Sequence, residues 1–420
     1  MLQAICLFED SDYKNLLPLV YFRPVFDLRC GIMKLIDKVK LHYPDYSFIL
    51  HCREYLNDSV KMKYSNFIVN EIPETVNRCL FVNSRVIVND YFKNQVVVNG
   101  EDVAYIHNDT VVAAIVSGKN LDMIKKIMKN VFTNEAFANI KKQEINVTIL
   151  KYPWDFVNIN GSQIVEDFGL IVNKNDSMIR GKIYDGAYLL NKDNIFIDEG
   201  VKIKPGVVLD AEEGPIYIGK NVQILPNAVI EGPCFIGDNS VIKIGAKIYE
   251  NTSIGEVCKI GGEVEASIIH SYTNKQHDGF LGHSYLGQWI NLGADTNNSD
   301  LKNNYGTVKV IINDEQVDSD SIFVGLIMGD HSKCSINTMF NTGTVVGVSC
   351  NIFGAGFPPK YIPSFSWGGS ESLTTYEIDK SIDVARKVMK RRNIEFTAVD
   401  EKLFREVFKL TENERKKRGM

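Results

Sequence analysis

Long apolar runs, a strong charge imbalance and closely paired cysteines are all missing from this sequence. No stretch of eighteen apolar residues occurs in its 420 residues, so we expect no segment to span a membrane. The formal net charge of −5 gives no electrostatic reason to expect nucleic acid as the main partner. The eight cysteines include no Cys-x-x-Cys pair, which favours free thiols in a reducing cytoplasm over a disulfide framework. The first residues lack a basic region, and we expect residues 4–8 to form a strand rather than part of a signal peptide.

A six-residue repeat of isoleucine organises the middle of the chain. Its members are Ile218, Ile224, Ile230, Ile236, Ile242, Ile248, Ile254 and Ile260. A short residue follows four places after each isoleucine, and Cys234 and Cys258 hold two of these places. A period of six fits neither an α-helix nor an alternating strand, and is typical of a hexapeptide β-helix in which three hexads close one triangular coil. We therefore predict inward-facing isoleucines that stack from coil to coil, with strands about 4.8 Å apart.

The pattern divides the chain into four parts. These are an α/β domain at 1–150 with a mostly parallel sheet, a connecting segment at 151–195, a β-helix at 196–369 and C-terminal helices at 370–420. After Ile260 the repeat is expected to resume at Phe280 and, after a long polar insert at 298–321, again at Ile322. Loops that leave a solenoid usually lie over its functional face, so this insert is a candidate site region. Capping boxes at Thr374 and Thr397 predict the starts of two C-terminal helices.

Several motifs resemble one known family. They are Leu17-Pro18-Leu19, Arg23-Pro24-Val25, Gly282-His283-Ser284-Tyr285-Leu286-Gly287, Asn291-Leu292-Gly293-Ala294, Asn304-Tyr305-Gly306, Met328-Gly329-Asp330-His331 and Phe353-Gly354-Ala355-Gly356-Phe357-Pro358-Pro359. They are similar to a divergent branch of the bifunctional N-acetylglucosamine-1-phosphate uridylyltransferase/glucosamine-1-phosphate acetyltransferases, the GlmU-like proteins. The resemblance implies a nucleotidyltransferase-like N-terminal domain joined to a left-handed β-helix that assembles as a homotrimer. It also implies a cytoplasmic transferase of nucleotide-sugar biosynthesis that uses a sugar-1-phosphate, a nucleoside triphosphate and acetyl-CoA, with Mg²⁺ accompanying the triphosphate.

The resemblance assigns roles to residues on the β-helix. His283 matches the catalytic histidine, which would take a proton from the attacking amine, and His277 is a second candidate for that base. Lys243 falls where the relatives place an arginine on the sugar phosphate. The positions that match the amino-sugar contacts are Tyr285, Asn291, Asn304 and Tyr305. A structural polar residue remains the alternative for each of them.

The N-terminal domain departs from the superfamily pattern. The phosphate-cradling loop is expected at residues 7–12, but that segment has no glycine and is acidic. The metal-binding aspartate is expected near residues 82–85, where no carboxylate stands. A charged cluster of Arg23, Asp27 and Arg29 remains a substrate-binding candidate before the Gly31 segment, whose helix N-terminus would suit a phosphate. A structural salt-bridge cluster is an equal alternative.

Two other functions are compatible with this sequence. A non-catalytic trimeric assembly that senses sugar phosphates or nucleotides would explain the missing glycine-rich loop. A zinc enzyme would require three histidines around an open position, and His270, His277, His283 and His331 do not show the spacing of hexapeptide zinc enzymes. We therefore predict no metal site and favour the sugar-phosphate transferase.

Overall fold

The computed structural model describes residues 3–98, 100–173 and 177–420, so residues 174–176 of the predicted connecting segment lie outside the described residues. The N-terminal domain contains a seven-stranded sheet. Its strands are β1 (Ala4–Phe8), β2 (Ser47–Leu50), β3 (Ile68–Val69), β4 (Arg78–Asn83), β5 (Val103–His107), β6 (Thr110–Ser117) and β7 (Lys141–Glu144). The helices of the domain are α1 (Leu35–His42), α2 (Asn57–Lys63), α3 (Asp90–Gln95) and α4 (Gly118–Ile127). Short 3-10 helices lie at Ser11–Leu16, Val25–Asp27, Glu54–Leu56 and Asn134–Phe137.

The sheet is mostly parallel, as predicted, with the antiparallel strand β6 between β4 and β5. The strand order is β3-β2-β1-β4-β6-β5-β7. The first four strands in this order run parallel, as predicted, but β6 runs antiparallel to β4 and β5. Asn108 and Asp109, both with positive φ, form the tight turn that sends β5 back into β6. The order reverses beside β1, so the crevice between the carboxyl ends of β1 and β4 is the expected ligand position of such a sheet.

The six-residue repeat forms the predicted parallel β-helix. Its first face holds the strands Ile195–Ile197, Ile216–Ile218, Cys234–Ile236, Thr252–Ile254, Ile268–Ser271, Tyr285–Gln288, Ile327–Met328, Val345–Val346 and Tyr361–Ile362. The second face holds Lys182–Ile183, Lys202–Ile203, Gln223–Ile224, Val241–Ile242, Lys259–Ile260, Asn274–Lys275, Lys333–Cys334, Asn351–Ile352 and Ser366–Gly368, with Leu373–Thr375 added antiparallel. The third face holds Tyr188–Leu190, Val208–Asp210, Val229–Glu231, Lys247–Ile248, Glu263–Glu265, Phe280–Gly282, Asn297–Asn298 and Met339–Phe340. A 3-10 turn lies at Lys192–Asn194.

The coil interior follows the predicted spacing. All eight repeat isoleucines are buried, and so are the short residues four places after them. All eight cysteines are free and buried, as expected of small core residues. Two register predictions are wrong: Leu281 rather than Phe280 faces the core, and Ile322 is 41% exposed. The coil also begins earlier than residue 196, because a bridge at Ile179 and the strand at 182–183 already pair with it.

Helix α5 (Pro153–Ile171) and the polar insert join the coil to the N-terminal domain. Helix α5 packs between the coil and the domain, and its residue Phe156 touches the ring of Tyr285 on the first face. The polar insert forms a hairpin, Lys309–Ile312 and Glu315–Asp318, whose apolar side packs on the N-terminal domain.

None of the helices among the described residues combines the length and the apolarity needed to cross a bilayer.

The C-terminal helices close the structure. They are α6 (Ile378–Lys390), α7 (Ala398–Leu410) and α8 (Glu412–Lys416). The capping box at Thr397 is confirmed, whereas Thr374 lies in a strand and the N-cap of α6 is Glu377. The buried stripe of α6 packs on the coil, where the Ser381 and Ser349 hydroxyls are 2.5 Å apart.

Candidate functional site

His283 stands at the corner where the third face of the coil turns into the first. Its Nδ1 atom lies 2.8 Å from Oδ2 of Asp300, and its ring stacks on Phe323 with centroids 4.7 Å apart. Backbone bonds from the His283 amide to the Glu265 carbonyl and from the Gly325 amide to the His283 carbonyl fix the corner. The side chain of His283 is 18% exposed. The long insert leaves and rejoins the coil here, so its two ends bring Asp300 and Phe323 to the histidine.

The hydrogen bond between His283 and Asp300 determines which nitrogen of the imidazole can act as a base. Because Nδ1–H donates to the Asp300 carboxylate, Nε2 keeps its lone pair and can accept a proton. The carboxylate then stabilises the imidazolium that forms. Glu265 lies beside this pair, and burial, supported by the nearby Asp300 and Glu250 and opposed by His283, raises the pKa of Glu265. Sequence reasoning singled out His283 as a candidate base but did not name Asp300, although Asp300 lies in the polar insert predicted as a candidate site region.

Tyr285 and Arg29, predicted to contact substrates at separate sites, instead contact each other. The Tyr285 hydroxyl accepts a bond from the Arg29 amide at 2.9 Å and donates to the Arg29 carbonyl at 3.0 Å. Arg29 is buried, pairs with Glu256 and lies over the ring of Phe235. These contacts join the N-terminal domain to the first face of the coil, which is a structural position.

Arg23 and Asp27 lie in the same domain interface. Arg23 pairs with Asp330 of the coil and donates to Gln288 at 2.9 Å. Asp27 is 1% exposed and pairs with Lys34 and Lys63, and it also accepts a bond from Tyr64. Burial alone would raise the pKa of Asp27, but the cations around it hold that pKa well below its usual range. The structural alternative for this cluster therefore fits its surroundings.

The remaining predicted substrate residues lie on the second face of the coil and on a turn of the insert. Lys243 and Asn291 are on the second face, where Asn291 bridges the strands of Asn274 and Lys333. Asn304 and Tyr305 form an exposed turn, in which the Asn304 side chain accepts from the Gly306 amide and Tyr305 is 71% exposed. His277 is exposed on the loop before Phe280, whereas His270 and His331 are buried. Within the described residues, no three His, Cys, Asp or Glu side chains are grouped to hold a metal ion.

The crevice expected to bind nucleotide phosphates is filled by ion pairs. Glu9 is 1% exposed and receives bonds from Arg53 at 3.1 and 3.2 Å. The Asp10 carboxylate accepts hydrogen bonds from Arg85 at 3.0 Å and from Asn83 at 2.7 Å. Arg85 also donates a hydrogen bond to Asp12. Arg53 and Arg85 pair with all three carboxylates after β1, so the oxygens that could ligate Mg²⁺ already have partners and the residues present do not fit a Mg²⁺ site. Neither arginine was singled out from the sequence, because each acts through a partner that is distant in the chain.

The predicted phosphate position at the Gly31 segment is also taken by protein. Helix α1 begins at Leu35, and the free amides before it are bound by helix α5. The Gly31 amide donates to Asn160 at 2.8 Å, and the Ile32 and Met33 amides donate to Asp167 at 2.9 and 3.0 Å. A buried carboxylate therefore occupies the place that an anionic ligand would take.

A cavity of about 840 Å³ opens beside the filled crevice, next to β2 and beneath α7. Its lining includes Tyr13, Lys14, Arg53, Tyr55, Lys129 and Lys402. Arg53 lies 4.3 Å from the ring centre of Tyr13 and 5.3 Å from that of Tyr55. Aromatic rings and cations together can hold a base and its phosphates. The C-terminal helix was not expected to contribute to this cavity.

Comparisons with known proteins agree with this architecture. Residues 5–176 match the family model of a sugar nucleotidyl transferase. The bifunctional protein GlmU of Methanococcus aeolicus is 31% identical over 271 residues, which are 63% of this chain and 52% of that protein. GlmU of Rippkaea orientalis is 29% identical over 166 residues, or 31% of this chain and 36% of that protein. The chain thus spans about half or less of the length of these curated relatives.

The similarity to solved structures is weaker than the similarity to the GlmU sequences. The UDP-N-acetylglucosamine acyltransferase from Campylobacter jejuni aligns at 15% identity with a TM-score of 0.22, covering 55% of this chain and 94% of that one. Such a score establishes no shared fold, and the β-helix is established by its own strand pairs. The family match at the N-terminus and the GlmU identities confirm that the chain is similar to a divergent GlmU-like family of sugar nucleotidyl transferases.

Proposed function

We propose that this chain is a transferase of nucleotide-sugar biosynthesis that acetylates glucosamine-1-phosphate with acetyl-CoA at the His283 corner. The observation that carries the proposal is the 2.8 Å contact between His283 and Asp300. In this reaction the amine nitrogen attacks the thioester carbon, the carbon–sulfur bond breaks, and Nε2 of His283 takes the proton that the amine loses. The His283 imidazolium then gives this proton to the leaving thiolate, which becomes the thiol of CoA. A positioned base of this kind contributes about 10²–10⁴-fold to the rate.

The proposal gives the N-terminal domain a nucleotide-handling role. Its support is the sugar nucleotidyl transferase match and the 840 Å³ cavity with Tyr13, Arg53 and Tyr55 in its wall. Transfer of a nucleotide to the sugar-1-phosphate would use this cavity and not the crevice after β1, where Asp10 is held by Arg85. The positive charge opposite the phosphates would come from arginine and lysine, because the carboxylates that could hold Mg²⁺ are paired.

Assembly and compartment belong to the same proposal. The homotrimer rests on the resemblance alone, and it would place acetyl-CoA between neighbouring coils. The cytoplasmic location is supported by eight free cysteines, all buried and unpaired by disulfides.

A second candidate function is a non-catalytic sensor of sugar phosphates or nucleotides. The observation that favours it is the filled crevice, where the Glu9–Arg53 and Asp10–Arg85 pairs replace a phosphate-cradling loop. The acetyltransferase would turn over its substrates, whereas the sensor would only bind them. Purified protein incubated with glucosamine-1-phosphate and acetyl-CoA should release free CoA thiol, measured with a thiol reagent. Binding of both compounds without thiol release would favour the sensor.

A further inference from the structure

A cavity of about 310 Å³ lies between the second face of the coil and the end of helix α6. Four of its lining residues are cationic: Lys259 and Lys333 from coil strands, and Arg391 and Arg392 just beyond α6. The rest of its wall is polar or apolar and includes Asn291, Tyr272 and Trp289. Among the described residues, no carboxylate lines this cavity, whereas the larger cavity beneath α7 sets three carboxylates, Glu54, Asp58 and Glu406, against its cations.

These four cations have no anionic partner in the part of the chain that the structure describes. Lys333 donates to the carbonyl oxygen of His331 at 2.7 Å, and Arg392 donates to the side chain of Asn274 at 2.7 Å. Both acceptors are neutral. In the N-terminal domain, by contrast, Arg53 faces Glu9 and Arg85 faces Asp10. The cavity therefore holds positive charge that protein groups leave uncompensated.

The surroundings of two lysines in this cavity disfavour their charged forms. Burial lowers the pKa of Lys333 to about 8. Burial also lowers the pKa of Lys259, and repulsion from Arg392, Lys243 and Arg391 adds to that effect. A bound anion would relieve both costs at once.

The carbonyl end of helix α6 explains the presence of only two of these four cations. Arginines after the last turn of a helix interact favourably with its carbonyl end, which accounts for Arg391 and Arg392. It does not account for Lys259 and Lys333, which come from two strands of the coil and face the same space. Arginine forks and lysine ammonium groups together suit the several oxygens of a phosphate. The stacked rings of Tyr272 and Trp289, 4.3 Å apart, give the cavity an apolar wall for the rest of a small ligand.

We propose that this cavity is a binding site for the phosphate group of a small phosphorylated metabolite. The site lies on the second face of the coil, and neither His283 nor Asp300 lines it. It therefore goes beyond the proposed acetyl transfer and would exist in a sensor as well. None of its four cations carries a role from the family resemblance, and among the described residues that line it only Asn291 does.

Calorimetry on the full-length protein tests the site, with inorganic pyrophosphate and glucosamine-1-phosphate as probes in separate titrations. We expect at least one probe to bind, and its identity distinguishes a polyphosphate from a sugar monoester. The double variant Lys259→Gln/Arg392→Gln should bind that probe at least tenfold more weakly, since a charge-assisted hydrogen bond contributes more than a factor of ten. The matched control is Lys387→Gln on the exposed side of α6, which removes one charge outside the cavity and should bind like the wild type. Absence of binding by both probes at millimolar concentration, or equal binding by the double variant, would overturn the site.

Lys333→Met supplies a readout that a merely structural lysine would not give. Without anion, the variant should unfold at a higher temperature than the wild type because it removes an uncompensated charge. It should also bind the probe at least tenfold more weakly. A variant that unfolds at a lower temperature and binds as tightly as the wild type would show that the ammonium group only supports the fold. Because these assays measure binding and stability, they are independent of any failure of acetyl transfer.

Discussion

Nδ1 of His283 lies 2.8 Å from the carboxylate of Asp300, which stands at the start of the insert that leaves and rejoins the coil. In the proposed acetyl transfer, this contact would orient His283 as the base. The orientation leaves Nε2 free to accept a proton from a substrate amine. It also predicts that the two residues act as one unit in acetyl transfer.

His283→Gln should lower kcat for acetyl transfer by about 10²–10⁴-fold, because glutamine cannot accept the amine proton. Asp300→Asn should lower kcat as well, with KM little changed, since the imidazole loses its orientation and its charge partner. Both constants would be measured by release of CoA thiol.

His277→Gln is the matched control for these two variants. His277 is exposed on the loop before the corner and was the alternative base. If His277→Gln loses activity while His283→Gln keeps it, the base has been assigned to the wrong histidine.

Tyr285→Phe separates a structural role from a substrate role. The change deletes the hydroxyl that binds both the amide and the carbonyl of Arg29, leaving two buried backbone groups unpaired. We expect the free energy of unfolding to fall by about 1–3 kcal/mol, measured in denaturant, with KM for glucosamine-1-phosphate unchanged. A raised KM with unchanged stability would return Tyr285 to the substrate site.

Arg53→Met should be among the more damaging changes in the N-terminal domain. It leaves Glu9 buried and unpaired, and loss of one partner of a buried pair costs about 3–5 kcal/mol. Lys402→Met, which breaks the exposed Lys402–Asp58 pair at the same cavity, is the comparison and should leave stability unchanged. Chemical denaturation of both variants measures this difference, and equal stabilities would contradict the assigned role of Glu9.

The stability of the protein should fall between about pH 6.5 and pH 4 in part through His51. Its Nδ1 accepts from the Glu9 amide and its Nε2–H donates to the Asn130 carbonyl, so the neutral ring is satisfied. Burial lowers the pKa of His51 to about 4. Below pH 6.5 the unfolded chain therefore binds a proton that the folded chain does not, and stability declines until the folded pKa is reached.

His51→Gln keeps a donor and an acceptor but does not titrate in this range. Its unfolding free energy should depend less steeply on pH between 6.5 and 4 than that of the wild type. Identical pH profiles would show that His51 contributes nothing to the acid sensitivity.

The sequence predicts the β-helix well because the six-residue repeat is visible in neighbouring residues of the chain. Each isoleucine of the repeat has the same neighbours in every coil, so the period of six fixes which side chains face inward. The prediction fails at Phe280 and Ile322, the two positions where the repeat was expected to resume after an interruption. An interruption removes the six-residue spacing from which the inward positions are counted, so the period no longer fixes the register there.

The sites were less predictable for a related reason. Arg23, Arg29 and Tyr285 have the residue types and motif positions of binding groups, yet the structure uses them to join two domains. Charged and aromatic side chains serve either role, and only their partners decide which. Asp300 and Arg53 illustrate the converse, since their importance arises from partners at His283 and Glu9 that lie far away in the chain.

The most direct test of the proposed function is one mass spectrum. Pure protein would be incubated with glucosamine-1-phosphate, acetyl-CoA, UTP and Mg²⁺, beside a matched reaction with His283→Gln. We predict N-acetylglucosamine-1-phosphate from the wild type and almost none from the variant, and UDP-N-acetylglucosamine as well if the N-terminal cavity transfers nucleotides. Absence of the acetylated sugar phosphate from the wild-type reaction, with both substrates recovered intact, would contradict acetyl transfer at the His283 corner.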